Sequence, residues 1–143
     1  MIEQFQGEYR WLSNFTAVPI RGTEYTYPSV EHAYVSAKSD NPQWKIICAH
    51  GNHSAGALKK LGQRVHFRPD WPTFKLRVME VALRQKYNQE PFKSLLRATG
   101  DELIQEGNYW NDRFWGVCLK TGHGENRLGR MIMQIREELR AQI

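Results

Sequence analysis

The stretch Tyr25-Thr26-Tyr27-Pro28-Ser29-Val30-Glu31-His32-Ala33-Tyr34-Val35-Ser36-Ala37-Lys38 constrains this chain more than any other. Pro28 sets the entry angle, and Ser29 can cap a helix by accepting a hydrogen bond from a free backbone N–H. A helix over 30–38 follows from that start. On it Glu31 and Lys38 differ by only about 20° around the axis, with Tyr34 between them one turn in. A carboxylate, a phenol and an amine then project together beside an aromatic strand end. Two readings of this face are open. Glu is favoured in a first turn simply because it meets the positive end of the helix dipole, and a Lys two turns later can be a solvated surface residue. Alternatively, the face holds a polar substrate and moves protons on it.

A chain of 143 residues is one domain by size, 1–143, and large enough for a single core. Hydrophobic content of 41% and charged content of 24% place it among globular proteins rather than disordered ones. With 5 Trp, 6 Tyr and 6 Phe, some aromatic surface is left for stacking on a ring-containing ligand. A net charge of +5 favours an anionic partner: a phosphorylated metabolite, a nucleotide or nucleic acid. Cys48 and Cys118 lie far apart with no CxxC partner, which suits free thiols in a reducing compartment. The opening residues lack an apolar leader, and no apolar run approaches the ~20 residues of a membrane span. The expectation is a soluble cytoplasmic protein with no membrane partner, monomeric or weakly oligomeric.

Along the chain, residues 2–28 read as strands and turns, with a small hairpin folding Val18 and Ile20 back onto Tyr25-Thr26-Tyr27 through Arg21-Gly22-Thr23. Asn41-Pro42 starts a short helix to Ala49. Asn52 or Ser54 starts another, with Ala55, Leu58 and Leu61 as its apolar stripe before Gly62. Asp70-Trp71-Pro72 opens the longest helix, to Tyr87, whose apolar positions cover most of the circumference and predict a central place. Pro91 begins a further helix stopped by Thr99-Gly100, and the last runs from Glu125 to about Arg140. A strand is possible at 114–119. The fold class is mainly α (α+β): a helical domain with a small β element, not a βαβ repeat.

Two more segments could carry chemistry. In 107–116, Tyr109, Trp110, Phe114 and Trp115 surround Asn111 and Asp112. Either the loop folds back with Asp112 capping a turn, or it forms a stacking wall around a carboxylate in a partly dry pocket. Gly122-His123-Gly124-Glu125-Asn126-Arg127-Leu128-Gly129 is a glycine-rich turn into a helix start, where backbone N–H groups with Asn126 and Arg127 would suit phosphate. Its spacing is neither GxGxxG nor a P-loop. Cys48, His50 and His53, with His123 and Cys118 as distant partners, lack metal-ligand spacing, so no metal is expected.

Together these pieces resemble the YbiA-like or NADAR (NAD and ADP-ribose) domain family. The resemblance runs in order through Leu12-Ser13-Asn14-Phe15, Tyr27 to Tyr34 with Lys38, and Leu61-Gly62. It continues through Trp71, Lys75, Val78-Met79 and Ala82-Leu83, then Asn111-Asp112 with Trp115-Gly116, and Gly124 to Gly129. It implies an N-glycosidase that hydrolyses a ribose–nitrogen bond. Substrates in the family include ADP-ribose attached to guanine, in nucleotides or DNA, and phosphorylated ribosylamino-pyrimidines of riboflavin synthesis. A non-catalytic module binding ADP-ribose or NAD is the alternative of a different class. By motif position the resemblance makes Glu31 the catalytic acid, with Trp71, Asp112 and Lys38, the last a candidate for an imine with the opened ribose. Asn14, Phe15, Tyr34, Trp110, Trp115, Gly116, Asn126 and Arg127 would contact substrate, and no cofactor is implied. The chain departs from the riboflavin-linked branch at Tyr27-Pro28-Ser29-Val30, where that branch has Trp-Pro-Thr-Ser, and at Arg113-Phe114, where it has Ala-Tyr. The opening Phe5-Gln6-Gly7-Glu8-Tyr9-Arg10 looks more like the variants associated with ADP-ribose chemistry.

Overall fold

Proline and polar caps divide this chain into short helices, and the computed structural model, described over residues 1–142, shows where each begins. The fold is mainly helical α+β. It contains two compact units, one of Asn14–Lys86 and one of Met1–Ser13 with the chain from Tyr87 onward.

In the first unit, strands β1 (Ala17–Arg21) and β2 (Thr26–Ser29) form the expected antiparallel hairpin. The register pairs Ile20 with Tyr27 and Arg21 with Thr26, and an irregularity follows Ala17. Val18, Ile20, Tyr27 and Ser29 point inward, the period-2 pattern of a half-buried ribbon. Gln85 pins the turn end: its amide oxygen accepts from Arg21 N–H at 2.7 Å and its NH2 donates to Arg21 C=O at 2.8 Å.

Helix α1 (Val30–Ser36) follows directly, capped by Ser29, whose hydroxyl accepts from His32 N–H at 3.1 Å. It ends two residues before the predicted Lys38. Ala37 and Lys38 close it with bonds to Tyr34 and Val35 carbonyls. Helix α2 (Pro42–His50) then adds donors to the carbonyls at the end of α1: Trp44 Nε1–H donates to Val35 C=O at 3.0 Å, beside Lys38 N–H, and Lys45 Nζ to Ser36 C=O at 3.2 Å. Asn41 caps α2, and Ser54 caps α3 (Ala55–Gly62).

Two expectations are corrected here. Leu61 is exposed, and Gly62 takes the inward position, because a Cβ there would stand 2.5 Å from Val35 Cγ1. Helix α4 (Trp71–Tyr87) is not surrounded: Trp71, Met79, Ala82 and Leu83 are buried, but Val81 is 42% exposed. Its excess apolar residues line a surface cleft rather than a second core face.

In the second unit, the segment expected as strands and turns holds a 3-10 helix at Gly7–Leu12. Gly7, at φ 58°, turns the chain into it, and a stretch this short shows no period from which helix could be told from turn. Helices α5 (Phe92–Ala98) and α6 (Arg127–Arg140) pack together. Between them, the parallel pair β3 (Gly107–Asn108) and β4 (Val117–Cys118) is shorter than the strand predicted over 114–119. Among the described residues, no helix is long and apolar enough to cross a membrane.

Candidate active site

Within the first unit, α1 carries Glu31 and Tyr34, and Lys38 follows two residues past its end. Glu31 is 7% exposed. Its N–H donates to Asn14 C=O at 3.1 Å, which fastens the loop before β1 to the first turn of α1. The Asn14 amide NH2 reaches Met79 Sδ at 3.5 Å, and its Oδ1 is buried with no hydrogen-bond partner among the described residues. A buried acceptor left open carries a free-energy cost.

The His32 side chain holds this helix start in place. Its Nε2 meets His53 C=O at 2.9 Å and its Nδ1 meets Ser29 Oγ at 2.6 Å. A carbonyl can only accept, so Nε2 carries the proton and Nδ1 accepts from the Ser29 hydroxyl. One residue beyond Glu31, the chain thereby ties β2, α1 and the approach to α3 together.

Lys38 lies over aromatic faces, with Nζ 5.1 Å from the Phe67 ring centre and 6.0 Å from that of Tyr34. Tyr34 packs on Trp71 at 5.1 Å between centres, and Phe67 meets Trp71 edge-on at 6.4 Å. Trp71 itself is buried, at the first position of α4. Gly62 lies alongside: a Cβ there would stand in ordinary contact with Lys38 Nζ at 3.6 Å, and its conflict is with Val35. Burial lowers the Lys38 pKa below the ordinary lysine range. The Glu31 carboxylate works against that shift, while Lys59 of α3 and Lys75 of α4 add to it. Three ammonium groups and one carboxylate therefore share one electrostatic neighbourhood. Lys59 also stands 6.0 Å over the ring of Phe15, which is 36% exposed.

Lys59 and Phe67 escaped the sequence reading, and Lys75 entered it only as part of the family resemblance, with no role at the site. Lysines on short helices look like solvated residues until the helices are placed, and no local spacing links 38, 59 and 75.

The remaining expected residues belong to the second unit. Asp112 Oδ1 accepts from Phe114 N–H at 3.1 Å and Trp115 N–H at 3.0 Å, the capping arrangement of a polar turn. Phe114 and Trp115 meet edge-on at 4.9 Å, whereas Trp110 is 58% exposed. Gly116 is buried where a Cβ would strike Glu106 and Asn108. Asn126 spends both ends of its amide on backbone, accepting from Glu106 N–H at 3.0 Å and donating to Ile104 C=O at 2.9 Å. Arg127 pairs with Glu125 at 3.1 Å and lies 4.7 Å over the Phe114 ring.

The expected exposed N–H groups of the Gly122–Gly129 turn are not there. Those of Glu125, Asn126, Arg127 and Leu128 donate to carbonyls of Arg113, Gly116, Phe114 and Trp115. The helix start is stitched to the 113–116 loop, so these four donors are not left for an anion.

A buried carboxylate, a desolvated amine, packed aromatic rings and clustered lysines thus meet around α1. The chain belongs to the NADAR domain family, whose model matches residues 2–140. It is 33% identical to the N-glycosidase YbiA of Escherichia coli over 134 residues, covering 92% of this chain and 82% of that protein. It is 33% identical to the N-glycosidase Npun_R5314 of Nostoc punctiforme, covering 92% and 86%. The riboflavin biosynthesis protein VVA0006 of Vibrio vulnificus is 36% identical over 132 residues, 90% of this chain but only 35% of that protein's length. The solved NMR structure of Escherichia coli YbiA superposes with a TM-score of 0.84 at 28% identity, covering 99% of this chain and 88% of that one.

Proposed function

We propose that this protein is an N-glycosidase that hydrolyses a ribose–nitrogen bond in a phosphorylated substrate, removing ADP-ribose from guanine in a nucleotide or DNA. The observation that carries this reading is the meeting of buried Glu31 with Lys38, Lys59 and Lys75 beside the Tyr34–Trp71 pair. One carboxylate serves proton transfer, and the surplus ammonium charge suits phosphate. Exposed aromatic surface occurs at two stations, Phe67 beside Lys38 and Phe15 beside Lys59. Two stations match a substrate with two ring systems better than one with a single pyrimidine.

In the hydrolytic route Glu31 donates a proton to the departing nitrogen as the C–N bond breaks and the ribose becomes oxocarbenium-like. It then takes a proton from the water that attacks C1. In the covalent route the neutral Lys38 amine adds to C1 of the opened sugar and expels the base as its amine. Water hydrolyses the resulting imine and restores the lysine. Desolvation of Lys38 supports this route by enlarging the neutral fraction.

A second reading rests on the names of relatives, since two of them are riboflavin biosynthesis proteins, VVA0006 and the chloroplastic PYRR of Zea mays. Under it the substrate is a ribosylamino-pyrimidine phosphate. Incubation with ADP-ribosylated guanosine, ADP-ribosylated DNA and a ribosylamino-pyrimidine phosphate, followed by chromatography of the released base, decides between them. Release from the guanine substrates is expected. Release from the pyrimidine alone selects the second reading, and tight ADP-ribose binding with no release from any of the three leaves a binding module.

A further inference from the structure

Helix α1 has a second functional side. Ala33 and Ser36 lie about 140–160° around the helical path from Glu31 and Lys38, and Ala37 about 100–120°. They face a cleft of about 430 Å³ walled by the β1–β2 turn and one face of α4. None of Glu31, Tyr34, Lys38 and Trp71 lines it. A volume of this size is within the range of small-molecule sites.

The chemistry of the lining is specific. Small residues, Ala33, Ala37 and Ala82, form its floor, and α4 adds Phe74, Val78 and Val81. The Arg68 guanidinium lies 3.7 Å over the Phe74 ring and is held there by Asp70 and by Asp40 at 3.4 Å. That pairing makes a flat platform whose charge is already neutralised. Arg21 and Arg77, by contrast, line the cleft with no ion pair among the described residues. Glu24 is the one lining carboxylate not engaged by Arg68, and Lys45 adds a further cation, so the cleft is net positive.

We propose that this cleft is a second ligand site, distinct from the Glu31 face, for a small phosphorylated ring compound of mononucleotide size. The planar ring rests on the apolar floor and the Arg68–Phe74 platform, and the phosphate meets Arg21 and Arg77. Arginine suits this role because its planar donor fork grips phosphate oxygens in pairs. The ligand reaches the same short helix that carries Glu31, from the other side.

The test is a titration of the full chain with AMP, adenosine and inorganic phosphate, followed by amide chemical shifts in ¹⁵N-labelled protein. AMP is expected to shift the amides of Gly22 to Tyr25, Ala37 and Arg77 saturably, at least about 10-fold more tightly than adenosine or phosphate. Arg21→Glu with Arg77→Glu, both at exposed positions, is expected to weaken that response at least about 10-fold while the fold is kept. Shifts confined to the Glu31–Trp71 face overturn the proposal, as do cleft shifts unchanged in the double variant. Adenosine or phosphate matching AMP overturns it too, since one of its two recognition elements would then be idle.

Discussion

Glu31 gains its meaning from where it is buried. A first-turn glutamate on a surface helix would be worth only a fraction of a kcal/mol through the dipole. At 7% exposure, beside a desolvated lysine, it is a group whose proton matters. Glu31→Gln keeps the shape and removes the titrating group, so turnover is expected to fall about 10²–10⁴-fold with the far-UV circular dichroism unchanged. Full turnover in that variant would take Glu31 out of the mechanism. Lys38 separates the two routes: borohydride added during turnover is expected to leave a stable adduct on Lys38 by mass spectrometry, more at pH 9 than at pH 7, because the neutral amine attacks. An unlabelled Lys38 at both pH values leaves the hydrolytic route alone. Both residues stood out in the sequence through the spacing on one helix. Lys59 and Lys75 did not, because charge clustering between separate helices leaves no periodic trace.

At the scale of elements, caps were the most legible feature. Ser29, Asn41 and Ser54 each accept the N–H expected from their position, since capping depends on neighbours two or three residues away. Ser29→Ala is expected to cost about 1 kcal/mol in urea unfolding through the lost cap. It also removes the hydroxyl that holds His32 Nδ1. An unchanged midpoint would show that packing alone holds the start of α1. Helix faces were less legible. Leu61 and Gly62 exchange their expected places because α3 approaches α1 closely enough to exclude a Cβ. Gly62→Ala is therefore expected to destabilise by about 1–3 kcal/mol and to raise KM by pushing Val35, and with it the helix that carries Glu31. Wild-type stability and KM together would mean that Val35 yields without cost. The same limit explains the glycine-rich turn before α6: it reads as a phosphate cradle until the carbonyls of residues 113–116 are seen to occupy it.

For the whole molecule, the buried Lys86 ties stability to pH. Burial pulls its pKa down to about 7 from an ordinary value near 10.5. Between those values the unfolded chain binds a proton that the folded chain has released, so stability rises with pH across that window. The destabilisation is fully present below about pH 7 and is gone above about pH 10.5. In Lys86→Met this contribution, at most about 1.4 kcal/mol per pH unit, is expected to vanish. Unfolding free energies of both proteins from pH 6 to 10 check it, and parallel curves would show that Lys86 titrates normally. The lysine looks ordinary in the sequence, at a position where a long helix would be expected to show charge to water. What the sequence by itself determined was local: helix starts and stops, the hairpin, the helical class, and the shared side of Glu31 and Lys38. Each of these follows from steric and hydrogen-bonding preferences that act over a few residues. Only the tertiary structure decided that Lys38 is desolvated, that Lys59 and Lys75 join it, and that α1 has a cleft at its back. Burial, charge clustering and cavities depend on surfaces contributed by distant segments, and no short stretch of chain contains them.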